Sequence, residues 1–489
     1  MISKLKQLQP IDRLALSLIL LLNLLIGLLM LTGDRTRPRV RDFSWQNKVV
    51  GSVDTAFILT FSRPMDRDSV EANLQIEPPL PGKISWVGKR LVYTLTTPVR
   101  YETTYQIKLD KAISSIGKEK FGNPIQAFVG KFRTPDRAFV YIGVEGEEKG
   151  RLILYNLTVK QKKILTPKNL VVKNFKPYPI GDRILFSAAE WSNNKRGLLE
   201  QSLYAVNTGR LSLQSEPTAE TSKIDLILDS KIYQNLKFDL SSDGKAIVVQ
   251  RINRNNLGDT GLWLLRSNIA PQQLTNRPAG DFLITPDSTS ILNPQTEGID
   301  ILPLTKNAKP LDFIPSFRRV LDISIDGRKS AMIKFNSDAT PSLFLVTNQG
   351  KKQELVSTQG QILNCKFNAA VAFLYCLVTR PKPGKKEYSE QLNLEAIDLT
   401  TFKISVLSVL PDRWETVISL SPDGTALLFD RVVEKNEEPK IGDLRTNLGT
   451  AIATSSIMLL GLNQNQPYNG GELQPQELPL RGFHPCWLP

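Results

Sequence analysis

Histidine and cysteine are almost missing from these 489 residues, which contain one histidine, His484, and three cysteines. A single imidazole leaves one candidate for any Ser-His-Asp or Cys-His site. Three cysteines are too few for a disulfide scaffold, and no Cys or His spacing suits a metal. No Gly-x-Ser-x-Gly elbow, phosphate loop, dinucleotide fingerprint or calcium loop occurs. Neither a cofactor nor a metal is expected. Paired carboxylates from distant loops leave no sequence signature, so a glycoside hydrolase-like site is the one catalytic class that stays open. Acidic residues are also in deficit, 48 against 62 Lys+Arg, for a net charge of +14. That balance suits anionic surroundings such as lipid headgroups or wall polymers. The excess is dispersed and lacks the basic-plus-aromatic pattern of nucleic-acid binders, so nucleic acid is not an expected partner.

What is present is long enough for at least two domains. Residues 1–13 are basic, with Lys4, Lys6 and Arg13. Residues 14–33 carry no charge and are mostly Leu and Ile. Twenty residues at 1.5 Å each reach about 30 Å, the thickness of a bilayer's hydrocarbon core. A cleaved signal has a shorter apolar region and ends in small residues. Met30-Leu31-Thr32 makes a poor cleavage site, so an uncleaved signal anchor is expected. The linker 34–42 holds Arg35, Arg37, Arg39 and Arg41, which in an extended segment project one way and can meet anionic headgroups. As a solvated linker the same residues would contact nothing. These arginines blur the positive-inside bias, but long domains translocate largely regardless of it. The expectation is one span of the cytoplasmic (inner) membrane, with the C-terminal domains facing the periplasm or cell exterior.

Residues 43–136 alternate short apolar strands with turn clusters. Ala56–Phe61, Leu91–Leu95 and Tyr105–Leu109 read as strands, and Pro78–Gly82 and Phe121–Pro124 as turns. About 95 residues in this rhythm suit a β-sandwich. Phe61-Ser62-Arg63-Pro64-Met65-Asp66 with Ser69-Val70, then Tyr101-Glu102-Thr103-Thr104-Tyr105, Phe121-Gly122-Asn123-Pro124 and Phe132-Arg133-Thr134-Pro135, resemble the bacterial Ig-like domains of the surface-layer type. That resemblance implies a spacer or adhesive module. Trp86 and Tyr93 are expected in its core.

Residues 137–489 carry a weak repeat. Ser421-Pro422-Asp423-Gly424 leads into a strand at Ala426–Phe429. Ser241-Ser242-Asp243-Gly244 and Ser324-Ile325-Asp326-Gly327 do the same, and Thr285-Pro286-Asp287 is a worn copy. In such a turn Asp bonds local backbone N–H groups and Gly takes positive φ. Seven hairpins can be paired at about 50 residues each, the spacing of four-stranded propeller blades. That count gives seven blades, with six as the alternative, and the turn resembles that of TolB-like, WD40-like β-propellers. Gly482–Pro489 would complete the first blade beside Phe139–Ile142, leaving no open edge. The expected fold is thus all-β: a transmembrane helix, an Ig-like sandwich, then a propeller. Cys365 and Cys376 flank a turn near Asn368–Ala370; they are expected to be two small apolar residues packed in a sheet rather than a disulfide. Cys486 has no evident partner.

The longest loops follow the second strand of a blade, joining the two strands of a hairpin: Ala189–Ser202, Ile252–Gly261, Arg380–Gln391 and Val432–Ser455. Elaborated loops on one rim of a rigid scaffold commonly bind. Trp191, Lys382, Lys385, Lys386 and Tyr388 are the candidate contacts. The function expected is a non-catalytic envelope scaffold whose loop face binds a protein partner. The alternative is cell-wall glycan binding or carboxylate-based hydrolysis in the propeller channel.

Overall fold

The computed structural model describes every residue except 1–9, 33–36, 52–53, 116–122, 192–199, 210–222, 307–308, 383–387, 411–415, 441, 447–448 and 463–471. The chain divides into two compact units. Met1–Val49, Ala56–Leu95 and Thr104–Arg133 make the first; Val50–Thr55, Thr96–Thr103 and Thr134–Pro489 make the second.

Helix α1 (Pro10–Thr32) occupies the leucine-rich segment, where leucine side chains, unbranched at Cβ, lose little rotamer freedom in a helix. The side chains described in it are Ile11 and Leu14–Gly27, and the leucines and isoleucines among them are exposed. That stretch covers about 21 Å at 1.5 Å per residue, short of a bilayer core. Among the described residues no helix is long and apolar enough to cross a membrane. The segment expected to span is therefore a helix, but the span itself is not found.

The first unit holds two antiparallel sheets. Strands β1 (Val40–Phe43), β2 (Ala56–Phe61), β4 (Gly82–Val87) and β5 (Arg90–Leu95) form one in the order β1-β2-β5-β4; β3 (Leu74–Glu77), β6 (Thr104–Leu109) and β7 (Phe128–Arg133) form the other as β3-β6-β7. Alternation along β2 buries Phe57, Leu59 and Phe61. Phe57 stacks on Tyr93 at 4.9 Å, and Trp45 meets Phe132 edge-on at 5.0 Å. Trp86 stacks on Phe61 while its Nε1 donates to Glu71. The Met65-Asp66…Ser69-Val70 motif proves to be a helix start. Asp66 caps α2 (Arg67–Asn73) by accepting from the Ser69 N–H at 2.8 Å, which lets Val70 turn inward.

The second unit repeats one four-stranded antiparallel meander. Sheet 1 contains β8 (Ala138–Gly143), β9 (Leu152–Asn156) and β10 (Gln161–Ile164). Sheet 2 is β11 (Leu170–Pro177), β12 (Arg183–Glu190), β13 (Ser202–Asn207) and β14 (Ile224–Leu228). Sheet 3 is β15 (Tyr233–Leu240), β16 (Ala246–Asn253), β17 (Thr260–Arg266) and β18 (Ile269–Thr275). Sheet 4 is β19 (Leu283–Ile284), β20 (Ser290–Pro294), β21 (Gly298–Pro303) and β22 (Asp312–Pro315). Sheet 5 is β23 (Arg319–Ile323), β24 (Lys329–Phe335), β25 (Pro341–Thr347) and β26 (Lys352–Ser357). Sheet 6 is β27 (Ile362–Phe367), β28 (Phe373–Pro381), β29 (Glu390–Asp398) and β30 (Ile404–Leu410). Sheet 7 is β31 (Ile418–Leu420), β32 (Ala426–Glu434), β33 (Ile452–Gly461) and β34 (Gln476–Trp487). The first half of β34 pairs with β33 and its second half, Gly482 to Trp487, pairs with β8. Sheets 7 and 1 thus share one strand, and each has four.

Apolar side chains alternate to both faces of these strands, so each sheet packs on two neighbours. Val140 and Ile142 meet Val172 and Phe186 between sheets 1 and 2, and Leu185 meets Phe238 and Val249 between 2 and 3. Val248 meets Ile291 between 3 and 4, Leu292 meets Met332 between 4 and 5, and Ala331 meets Cys365 between 5 and 6. Leu377 meets Leu427 between 6 and 7, and Leu428 meets Phe139 between 7 and 1.

All seven expected hairpins are present. One expectation about them fails. Cys365 of β27 lies directly opposite Cys376 of β28, and their sulfurs are bonded, rather than packing as two separate small side chains. Register decided this: the turn between them sets the two Cβ atoms face to face.

Candidate functional site

Six first-to-second-strand turns share one geometry. In sheet 7 the Ser421 hydroxyl donates to Asp423 Oδ1 at 2.7 Å, Asp423 accepts from the Thr425 N–H, and Gly424 has φ +67°. Asp243, Asp326 and Asp287 repeat the pattern, with Ser288 at φ +60° where the others have Gly. Burial pushes these three carboxyls up, but hydroxyl and N–H donors more than offset it and hold them below the usual value. Tyr178–Gly181 and Asn368–Val371 close the same turn through backbone bonds, with Gly181 at φ +68° and Val371 at φ +54°. These turns brace one rim of the sheets. The second-to-third-strand loops lie on the other.

On that second rim the loops of sheets 7, 1 and 2 meet. Trp191, just after β12, is 44% exposed, and its N–H is fixed by the Asn169 carbonyl at 2.7 Å. Lys149 Nζ, from the β8–β9 loop, lies 5.7 Å from the Trp191 ring centre. Gly442, from the β32–β33 loop, packs on the indole so closely that a Cβ there would sit 3.4 Å from Cζ2, at φ +88°. Beneath, Leu444 and Ile452 join Val144, Val172 and Ala188 in one apolar cluster. Thr454 Oγ1 donates to Glu145 at 2.7 Å, and Lys435 pairs with Asp443. The result is a braced platform with one large exposed ring.

The other sequence candidates lie elsewhere. Tyr388 is 67% exposed in the β28–β29 loop, its hydroxyl 2.6 Å from Glu390 Oε1, which raises its pKa. The Lys382 N–H donates to the Ser389 carbonyl. Lys385, Lys386 and Arg35 lie outside the described residues. Arg37, Arg39 and Arg41 are exposed, their backbone held by the Arg39 N–H to Ser62 Oγ and the Gln126 N–H to the Pro38 carbonyl. No hydrogen bond or ring contact joins Trp191 to Tyr388. The loop placed at Val432–Ser455 is shorter than expected, because β32 runs to Glu434 and β33 begins at Ile452. Its Leu444 is core, so it is not a free insertion.

Sequence reasoning missed a second constellation. In every sheet one residue of the first strand stands opposite the third residue of the second: Cys486, Lys176, Asp239, Leu283, Asp322, Lys366 and Ser419. Its signal is positional, since six of the seven fall two residues before the turn. Lys366 reaches Asp322 at 3.1 Å, and Lys176 pairs with Asp239. The Asp322 charge, chiefly, raises the Lys366 pKa; burial raises that of the Cys486 thiol. Each carboxylate also accepts a backbone N–H, Asp239 from Ile284 and Asp322 from Phe367. Both are consumed by these partners, so neither is set to act with the other as an acid–base pair. Among the described residues no group of three His, Cys, Asp or Glu side chains is placed to hold a metal.

Residues 34–134 match the family model for the Bacterial Ig-like domain. A comparison with curated proteins finds no match. Among solved structures the chain is similar to TolB from Acinetobacter baumannii, at 12% identity and TM-score 0.37 over 85% of this chain and 83% of that one. It is similar to an oligogalacturonate lyase from Vibrio parahaemolyticus, at 10% identity and TM-score 0.44 over 60% and 87%. A putative 6-phosphogluconolactonase from Bacteroides uniformis gives 11% identity and TM-score 0.43 over 72% and 99%. Likeness at this level says nothing of what this chain binds or does.

Proposed function

We propose that this is a membrane-anchored protein of the cell envelope whose second unit is a closed seven-bladed propeller acting as a non-catalytic binding module. The observation that carries the reading is the platform around Trp191. An exposed tryptophan backed by loops of three consecutive sheets has the form of an interface hot spot, rigid beneath and bare on top. The cyclic order of the seven apolar clusters supports closure. The Ig-like match supports a spacer. The Cys365–Cys376 bond supports an oxidising compartment. The uncharged, leucine- and isoleucine-rich sequence 14–33 supports an anchor.

The test is cross-linking of the full-length protein in cells, detergent solubilisation, capture and mass spectrometry, with Trp191→Ala as control. A partner held by the intact protein should lose about thirty-fold in affinity to the variant, the scale of a two-kilocalorie hot spot. Equal capture by Trp191→Ala would refute the platform assignment.

A further inference from the structure

Arg251 of β16 is the one basic side chain among the buried described residues, at 6% exposure. A buried arginine is normally matched by a carboxylate. Here Nε donates to Asn235 Oδ1 at 3.1 Å, and among the described residues no ion pair joins the guanidinium to an acid. Asp229 and Asp259 act on it only at longer range. Its carbon lies 4.4 Å from the Tyr233 ring centre and 5.5 Å from that of Trp263, and the two rings meet edge-on at 5.3 Å. Both rings are half-buried. Among the described residues Trp263 Nε1 is buried with no acceptor, so the cluster holds a donor that nothing satisfies. Beside it the Tyr233 hydroxyl donates to Asp259 at 2.6 Å and Asn253 Nδ2 donates to the same carboxylate at 2.9 Å. Leu257 and Ile232 stand exposed at its edge. The cluster lies at the β16–β17 end of sheet 3, on the rim of the second-to-third-strand loops.

We propose that Arg251, Tyr233 and Trp263 form a binding site for a carboxylate-bearing sugar, a uronate unit. The guanidinium takes the carboxylate through its fork of donors. The half-buried rings pack against the apolar C–H face of the sugar. Asn253 and Asp259 meet its hydroxyls. The site stands apart from Trp191 and does not rest on the protein-partner reading.

Calorimetric titration of the full-length protein with glucuronate, glucose and acetate tests this. Glucuronate should bind saturably, glucose not at all, and acetate at least tenfold more weakly than glucuronate. Arg251→Gln should lose glucuronate at least tenfold. Should that variant not fold, Arg251→Lys, which keeps the charge and removes the fork, carries the same expectation. Absence of glucuronate binding, equal affinity for acetate, or unchanged affinity in the folded Arg251 variant would overturn the assignment.

Discussion

Asp423 and Asp326 close the same turn, but their surroundings differ. Asp423 is buried and also takes Arg137 Nη2 at 3.0 Å; Asp326 is more open. Asp423→Ala should therefore cost about 3 kcal/mol of unfolding free energy and Asp326→Ala about 1 kcal/mol, read from urea melts. Asp430 is a second informative carboxylate. Burial, the dominant cause, pushes its pKa up to about 6, against the pull of the His484 and Val417 N–H groups it accepts. A folded pKa above the unfolded one means that the neutral form is the better tolerated. Its contribution is fully present below about pH 4, the unfolded value, and is lost as pH rises through about 6. Wild type should thus gain a few kcal/mol relative to Asp430→Asn between pH 7 and pH 4. A difference that is flat with pH would place Asp430's proton elsewhere.

At the scale of elements, strand and hairpin positions were legible because apolar alternation and turn chemistry agree in them. Four of the six common turns announce themselves by Asp two residues after Ser or Thr. The turns at Tyr178–Gly181 and Asn368–Val371 do not, since a backbone bond closes each without an Asp, and in the second the Asn368 side-chain oxygen accepts from the Ala372 and Phe373 N–H groups instead. The Cys365–Cys376 bond was missed because composition counts cysteines but does not give cross-strand register. Its closed loop is short, with a separation of 11. Replacing both cysteines by Ala should lower stability by about 2–3 kcal/mol in chemical denaturation. The platform was only half visible: Trp191 stands out as a lone aromatic in a loop, but Lys149 reaches it from the preceding sheet and Gly442 from a sheet far away in sequence. Arg251 gave no signal, because Gln250-Arg251 after four apolar residues of a strand reads as a solvent-facing end.

At the scale of the whole molecule, the sheets depend on one another through shared clusters, so local damage at the join between sheets 7 and 1 should spread. Deleting Gly482–Pro489 removes one of the two pairing partners of β8 and bares that edge. The truncated protein should aggregate or melt far below the full chain in light-scattering and thermal-melting runs; normal solubility and melting would contradict closure through β34. Anchoring has its own check at this scale. Alkaline carbonate should leave the full chain with the membranes and release a variant lacking residues 14–33, whereas release of both would remove the anchor.

The strand shared by sheets 7 and 1 also orders events in time. β34 follows every other strand in the sequence, yet β8, among the first of its unit to leave the ribosome, cannot be paired on both sides until β34 arrives. The earliest sheet made is therefore the last one finished. Throughout synthesis the chain carries an exposed, strongly apolar edge of its own, and the duration of that exposure is set by the speed of translation rather than by the speed of folding.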